Sequence, residues 1–212
     1  MEKNDAVKEN RSFKSLTKGF LSENVVVAGG LIVAPIVVAG VSVKNAVIIS
    51  AVLYILTVLT VLISRLVTKK VSIFFRIPVY SLIASILYAP IGYFLQARHA
   101  SVYMSCGIYL PLLILNAIIS VESEKRKYNL WQSFISATAS CFGFAIIILT
   151  IGTVREVFGK NMFMDNPVDW NKKIPALAYP FSGFILLSSL AAIMQRIRLK
   201  RGKTDANTQN NA

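Results

Sequence analysis

The chain has 212 residues, 55% of them hydrophobic, with 23 basic and 10 acidic side chains that leave a formal net charge of +13. A soluble domain of this length is less apolar, a disordered or fibrous chain is far more polar, and a membrane β-barrel alternates over segments of about ten residues. The charges are also clustered: six stretches contain no Asp, Glu, Lys or Arg, namely residues 24–43, 45–64, 77–97, 99–121, 128–154 and 174–195, which together hold 133 positions.

Each run supplies the roughly 20 apolar residues that a helix needs to cross about 30 Å of hydrocarbon. The pattern predicts an all-α integral membrane protein with six transmembrane helices over residues 24–195. A charged N-terminal segment (1–23) precedes them and a basic, mobile tail (196–212) follows. The basic residues sit in short segments beside the runs, so the lipid bilayer accounts for the high pI and nucleic acid is not an expected partner.

In chain order, the first run begins only at Asn24 and is followed by more runs, which argues against a cleaved signal peptide. It carries Gly29, Gly30 and Pro35; the fourth run carries Gly107, Pro111 and Asn116. Tyr88-Ala89-Pro90-Ile91-Gly92-Tyr93-Phe94 in the third run echoes Tyr179-Pro180-Phe181-Ser182-Gly183-Phe184 in the sixth. Three crossings are an odd number, so a three-helix repeat must be inverted in the membrane. Gly and Pro at similar depth in the first helix of each half predict that the first and fourth helices are broken, with Gly30, Pro35, Gly107, Pro111 and Asn116 at the midplane. Ordinary kinks and close helix packing explain the same residues equally well. The loop 155–173 has an apolar side, Phe158, Met162, Phe163 and Trp170, suited to the membrane interface.

Six spans put both termini on one face. Dividing the Lys and Arg residues between the two faces puts 17 on the side of the termini and 6 on the other, so both termini are expected in the cytoplasm.

The runs offer little chemistry. They contain no Asp, Glu, Lys or Arg, and His99 lies beside Arg98 in an expected loop. Glu23, Arg155 and Glu156 fall at run ends, where interfacial anchoring or local pairing is expected. Asn116, the most polar side chain inside a run, must find partners in protein or in carbonyls freed by a kink. Cys106 and Cys141 read as reduced, buried small hydrophobes, too few for an iron–sulfur cluster. No phosphate loop, metal-binding His pair or nucleophile motif is present, so neither catalytic nor metal-binding residues are expected.

Several strings are more specific. Phe75-Arg76-Ile77-Pro78-Val79-Tyr80, Gly107-Ile108-Tyr109-Leu110-Pro111-Leu112 with Asn116, and Gly152-Thr153-Val154-Arg155-Glu156-Val157-Phe158-Gly159 occur in order along most of the chain. With Arg76, Pro78, Arg155, Glu156 and Gly159 as motif positions, the chain resembles the six-helix membrane proteins that include the E subunit of the Rnf electron-transport complex and the D subunit of the sodium-translocating NADH:quinone reductase. The resemblance implies two inverted three-helix repeats and a bacterial inner-membrane complex coupling electron transfer to Na⁺ or H⁺ movement. It also implies a sister six-helix subunit as partner, with a [2Fe-2S] cluster shared between the two. The family's cluster patterns are glycine-leucine-cysteine-proline and threonine-asparagine-cysteine. Here the matching stretches read Ile32-Val33-Ala34-Pro35 and Leu115-Asn116-Ala117, so both cysteine positions are alanine. The expectation is a structural or ion-path subunit that has lost its share of the cluster, not catalytic alone. The alternative is a small-molecule transporter or substrate-binding membrane subunit that reuses the scaffold.

Overall fold

The computed structural model describes residues 34–67, 71–125, 129–164, 166–168 and 174–210. Gly29, Gly30 and the N-terminal segment lie outside the described residues, as does Trp170. Six α-helices are described: α1 (Val43–Val67), α2 (Ile73–Arg98), α3 (Ala100–Cys106), α4 (Ala117–Glu124), α5 (Leu130–Lys160) and α6 (Pro180–Asn210). Three of them, α1, α2 and α5, are long and apolar enough to cross a membrane. The pair Ala100–Tyr109 and Pro111–Glu124, bent by 45°, makes a fourth crossing if taken as one broken span.

In hydrocarbon a backbone must satisfy its own N–H and C=O groups, and helices do so despite the β-branched content of α1. The buried residues of α1 include Ala46, Ile49, Leu53, Leu56, Thr60 and Ser64, spaced three or four apart, so a single stripe faces protein. That stripe packs against α5, the central contact of the fold, with α2 and α4 flanking α1. The buried residues in the first half of α5 are mostly small, Ser133, Ser136, Ala137, Ser140 and Gly143, which favours close helix packing. A Cβ at Gly152 would lie 3.4 Å from the Cβ of Ala46.

By contrast α2 is peripheral. Only 11% of its most apolar window is buried within the chain, against 50% for α1 and 56% for α5. Pro78 and Pro90 lie inside this helix without ending it.

Three elements differ from the sequence expectation. The helix expected to end at residue 154 continues to Lys160, because the charged pair Arg155 and Glu156 is satisfied inside the fold and does not need water. Beyond the left-handed Asn161, the predicted loop contains a short antiparallel hairpin, Met162–Phe163 against Asn166–Pro167, with Met162 and Phe163 both 42% exposed. The echoing Tyr-Pro-Gly strings do not occupy matching places: Pro90 and Gly92 lie near the end of α2, whereas Pro180 opens α6.

Candidate functional site

The break between Ala100–Tyr109 and Pro111–Glu124 is built residue by residue. Gly107 ends α3 at φ +50°, a conformation that costs any L side chain; a Cβ there would meet nothing within 4 Å, so conformation rather than space calls for glycine. Two short 3₁₀ turns follow, Gly107–Tyr109 and Pro111–Leu115, with Pro111 at a first helical position where its missing N–H is no loss. Asn116 is then extended, and its side-chain oxygen accepts from the Ile118 N–H at 2.9 Å, capping α4. Buried Asn116 thus faces protein as expected, although its Nδ2 has no hydrogen-bond partner among the described residues. Ala117 is the first residue of α4 and is half-buried.

Before α1 lies a π-turn, Pro35–Ala39, packed on α3 and on the Gly107–Tyr109 turn. Ala34 precedes it and is exposed. Neither Ala34 nor Ala117 offers a donor atom to a metal. The cysteines are both free and buried, Cys106 and Cys141 lying in the apolar core. The residues present therefore do not fit a [2Fe-2S] cluster at the positions where the resemblance places one.

Arg155 and Glu156 correct the expectation of interfacial anchors. Arg155 is fully buried, and its guanidinium donates to five carbonyls: Val37 and Gly40 in the first break, and Leu177, Ala178 and Tyr179 at the approach to α6. A guanidinium has five N–H donors, which matches the number of carbonyls gathered around it. Glu156, next in sequence, points elsewhere: its Oε2 accepts from the Val43 N–H at 2.6 Å, placing a carboxylate at the N-terminus of α1, where the helix dipole favours it. Gly159 completes the motif, because a Cβ there would lie 2.9 Å from the backbone N of Ala178. Together the three residues fasten the first break, α1 and the Pro175–Ala178 turn to one end of α5.

At the other end of α5, Arg76 Nη1 pairs with Glu124 Oε1 at 2.8 Å and the Tyr80 hydroxyl donates to Glu124 Oε2 at 2.8 Å, which ties α2 to the end of α4. Pro78, between these two residues in sequence, is exposed.

Sequence reasoning misses one group. Glu122 lies one residue past the fourth uncharged run and looks like a loop residue, yet it is 1% exposed. Ser140 Oγ donates to its Oε1 at 2.6 Å, Ser136 Oγ to its Oε2 at 2.8 Å, and Lys125 Nζ to Oε1 at 2.6 Å and to Ser136 Oγ at 3.1 Å. Arg65 donates to the Lys125 carbonyl. The expectation of spans without a buried carboxylate is thereby overturned, since α4 turns Glu122 into the protein against α5. Ser136 and Ser140, at i and i+4 on the buried face of α5, are the one signal in the sequence that could have found it.

Comparison with known proteins adds the family. Residues 12–193 match the family described as Rnf-Nqr subunit, membrane protein. The chain belongs to the Rnf-Nqr membrane subunit family. Among its relatives, a Clostridium ljungdahlii protein, named as the E subunit of a proton-translocating ferredoxin:NAD(+) oxidoreductase complex, is 31% identical over 138 residues, 63% of this chain and 63% of the relative. Proteins named as E subunits of ion-translocating oxidoreductase complexes match as well. The protein from Shewanella oneidensis is 30% identical over 42% of this chain and 40% of its own length, and that from Buchnera aphidicola 28% identical over 58% and 62%. The chain thus spans between 40% and 63% of the length of these relatives. Membership in the Rnf-Nqr family agrees with the long apolar helices in making this a multi-pass membrane protein.

Proposed function

We propose that this chain is an integral membrane subunit of an ion-translocating electron-transport complex of the Rnf/Nqr kind, and that it contributes scaffold and part of an ion path rather than an electron carrier. Six transmembrane helices in two inverted three-helix repeats place the broken first and fourth helices against each other. A sister six-helix subunit faces them, other subunits carry the redox groups, and the assembly lies in the bacterial inner membrane with both termini cytoplasmic. The names of the relatives and the excess of Lys and Arg on one face support this assignment.

One observation carries the second half of the reading. The scaffold around the family's cluster is retained, with Pro35, Pro111 and the Asn116 cap in place, while Ala34 and Ala117 stand where thiolates are needed. Electrons that cross this complex therefore pass outside this chain.

The test is a purified complex assayed for NADH- or ferredoxin-driven movement of Na⁺ or H⁺, with its electron paramagnetic resonance spectrum recorded in parallel. Driven ion movement with no [2Fe-2S] signal dependent on this chain is the expected result. A cluster signal lost with this chain would refute the cofactor reading. Solute uptake indifferent to NADH and ferredoxin would refute the complex in favour of a transporter.

A further inference from the structure

The Glu122 site has features that an ordinary buried ion pair does not need. Its cation arrives from outside: the Lys125 side chain is 34% exposed while that of Glu122 is 1% exposed, so the ammonium reaches in from the loop at the end of α4. The anion is deep. Ser140 lies ten residues beyond the first residue of α5, roughly 15 Å along the helix at 1.5 Å per residue. One turn before Ser136 on α5, Ser133 is 2% exposed and its Oγ has no hydrogen-bond partner among the described residues. An unpaired hydroxyl in a low-dielectric interior is costly, and such oxygens are stabilised by a water or an ion.

We propose that the Glu122 carboxylate with the Ser136 and Ser140 hydroxyls is a binding site for a small monovalent cation, occupied in this conformation by the Lys125 ammonium as a tethered substitute. Nζ sits 2.6 Å from the carboxylate and 3.1 Å from Ser136 Oγ, the place a monovalent ion coordinated by those oxygens would take. A serine hydroxyl keeps lone pairs while it donates, so Ser136 and Ser140 can present oxygen to an ion without leaving Glu122. Exchange is electrically neutral: one positive charge enters as Lys125 swings out to the loop, so the buried carboxylate is never left uncompensated. A single carboxylate matches a monovalent ion; divalent sites draw on more anionic oxygen. The loop end, from which the Lys125 side chain reaches in, gives the ion an approach.

This inference rests on the ion-path reading above, and the two fail separately. The full-length chain, purified in detergent, is unfolded thermally in NaCl and in choline chloride at equal ionic strength. Na⁺ is expected to raise the midpoint of the wild-type chain. Lys125→Met is expected to lose stability in choline and recover it in Na⁺, at lower Na⁺ than the wild type requires. Ser140→Ala should raise the Na⁺ concentration for half effect about ten-fold, and Glu122→Gln should respond alike to both salts. Identical unfolding of wild type and Lys125→Met in the two salts overturns the proposal, as does stabilisation by acid alone with indifference to Na⁺, which would assign the site to a proton. Should Lys125→Met not fold, the wild-type chain decides: Na⁺ must slow the modification of Glu122 by a hydrophobic carbodiimide, and a rate unchanged by Na⁺ refutes the site. Na⁺ binding by the chain within a complex that moves no ions would remove the path and leave the site. Ion movement by a complex whose chain ignores Na⁺ would do the reverse.

Discussion

Arg155 donates to carbonyls alone among the described residues; it gathers backbone carbonyls from two irregular segments of the chain. Five fixed donors cannot be reproduced by an ammonium with three. The Leu177 and Tyr179 carbonyls also accept from Ser182, so Arg155→Lys is expected to weaken chiefly the hold on Val37, Gly40 and Ala178 and to destabilise the chain by about 1–3 kcal/mol, and Arg155→Met by more, read as lowered thermal midpoints in detergent. The two special glycines separate cleanly. Gly159→Ala drives a methyl to 2.9 Å from the Ala178 backbone and should cost about 1–3 kcal/mol by overpacking. Gly107→Ala meets open space and should cost only the positive-φ backbone, about 1–3 kcal/mol. Enlarging the side chain further to Ser should add cost at Gly159 and little at Gly107, and equal increments would contradict this division. The sequence marks Arg155 and Gly159 as motif positions and Gly107 as a helix break, but a one-dimensional string carries no sign of whether Arg155 points to water or to the five carbonyls supplied around the Pro35–Ala39 and Pro175–Ala178 turns.

At the scale of elements, the break between α3 and α4 is the best-defined feature. A glycine that leaves the helix, a proline that cannot donate a helical bond and an asparagine that starts the next helix occur within ten residues, and each acts locally. That is why the break is legible in the sequence. Asn116→Ala should cost about 1 kcal/mol through the lost cap of α4, whereas Asn116→Ser, which keeps an oxygen acceptor, should recover most of it in the same unfolding assay. The far end of α5 is not legible, because a helix extends through a charged pair only when tertiary partners satisfy it, and the partners of Arg155 and Glu156 lie more than 110 residues earlier as well as about 22 later. The echo of the third and sixth runs does not by itself fix matching places in the two helices. Its similarity is compositional, and Pro90 and Pro180 fall at different ends of their helices.

For the whole molecule, the pair α1 and α5 forms the centre and α2 the edge, with Phe74, Phe75, Ile86, Tyr93 and Phe94 of α2 all more than half exposed. In a bilayer such a face is at ease against lipid or a neighbouring subunit. A spanning α5 carries its two fastened ends to opposite faces of the membrane: Arg76 and Glu124 at one, Arg155 and Gly159 at the other. Single cysteines at Ser72 and Asn161 test it. Asn161→Cys should react with an impermeant maleimide on intact cells and Ser72→Cys only after permeabilisation; the opposite result would invert the topology.

Composition and charge spacing alone determined that the chain lives in a membrane, because long apolar runs without charge are stable there as helices that satisfy their own backbone. Local strings likewise determined the kinship and the break in the fourth span, since glycine, proline and asparagine act within a few residues of themselves. The tertiary structure decided which charges are inside. Glu122, Arg155 and Glu156 stand at the ends of apolar runs, where exposure and burial look alike in sequence. Burial is stable there only because Ser136 and Ser140, five backbone carbonyls and the Val43 amide converge on them from elsewhere in the chain.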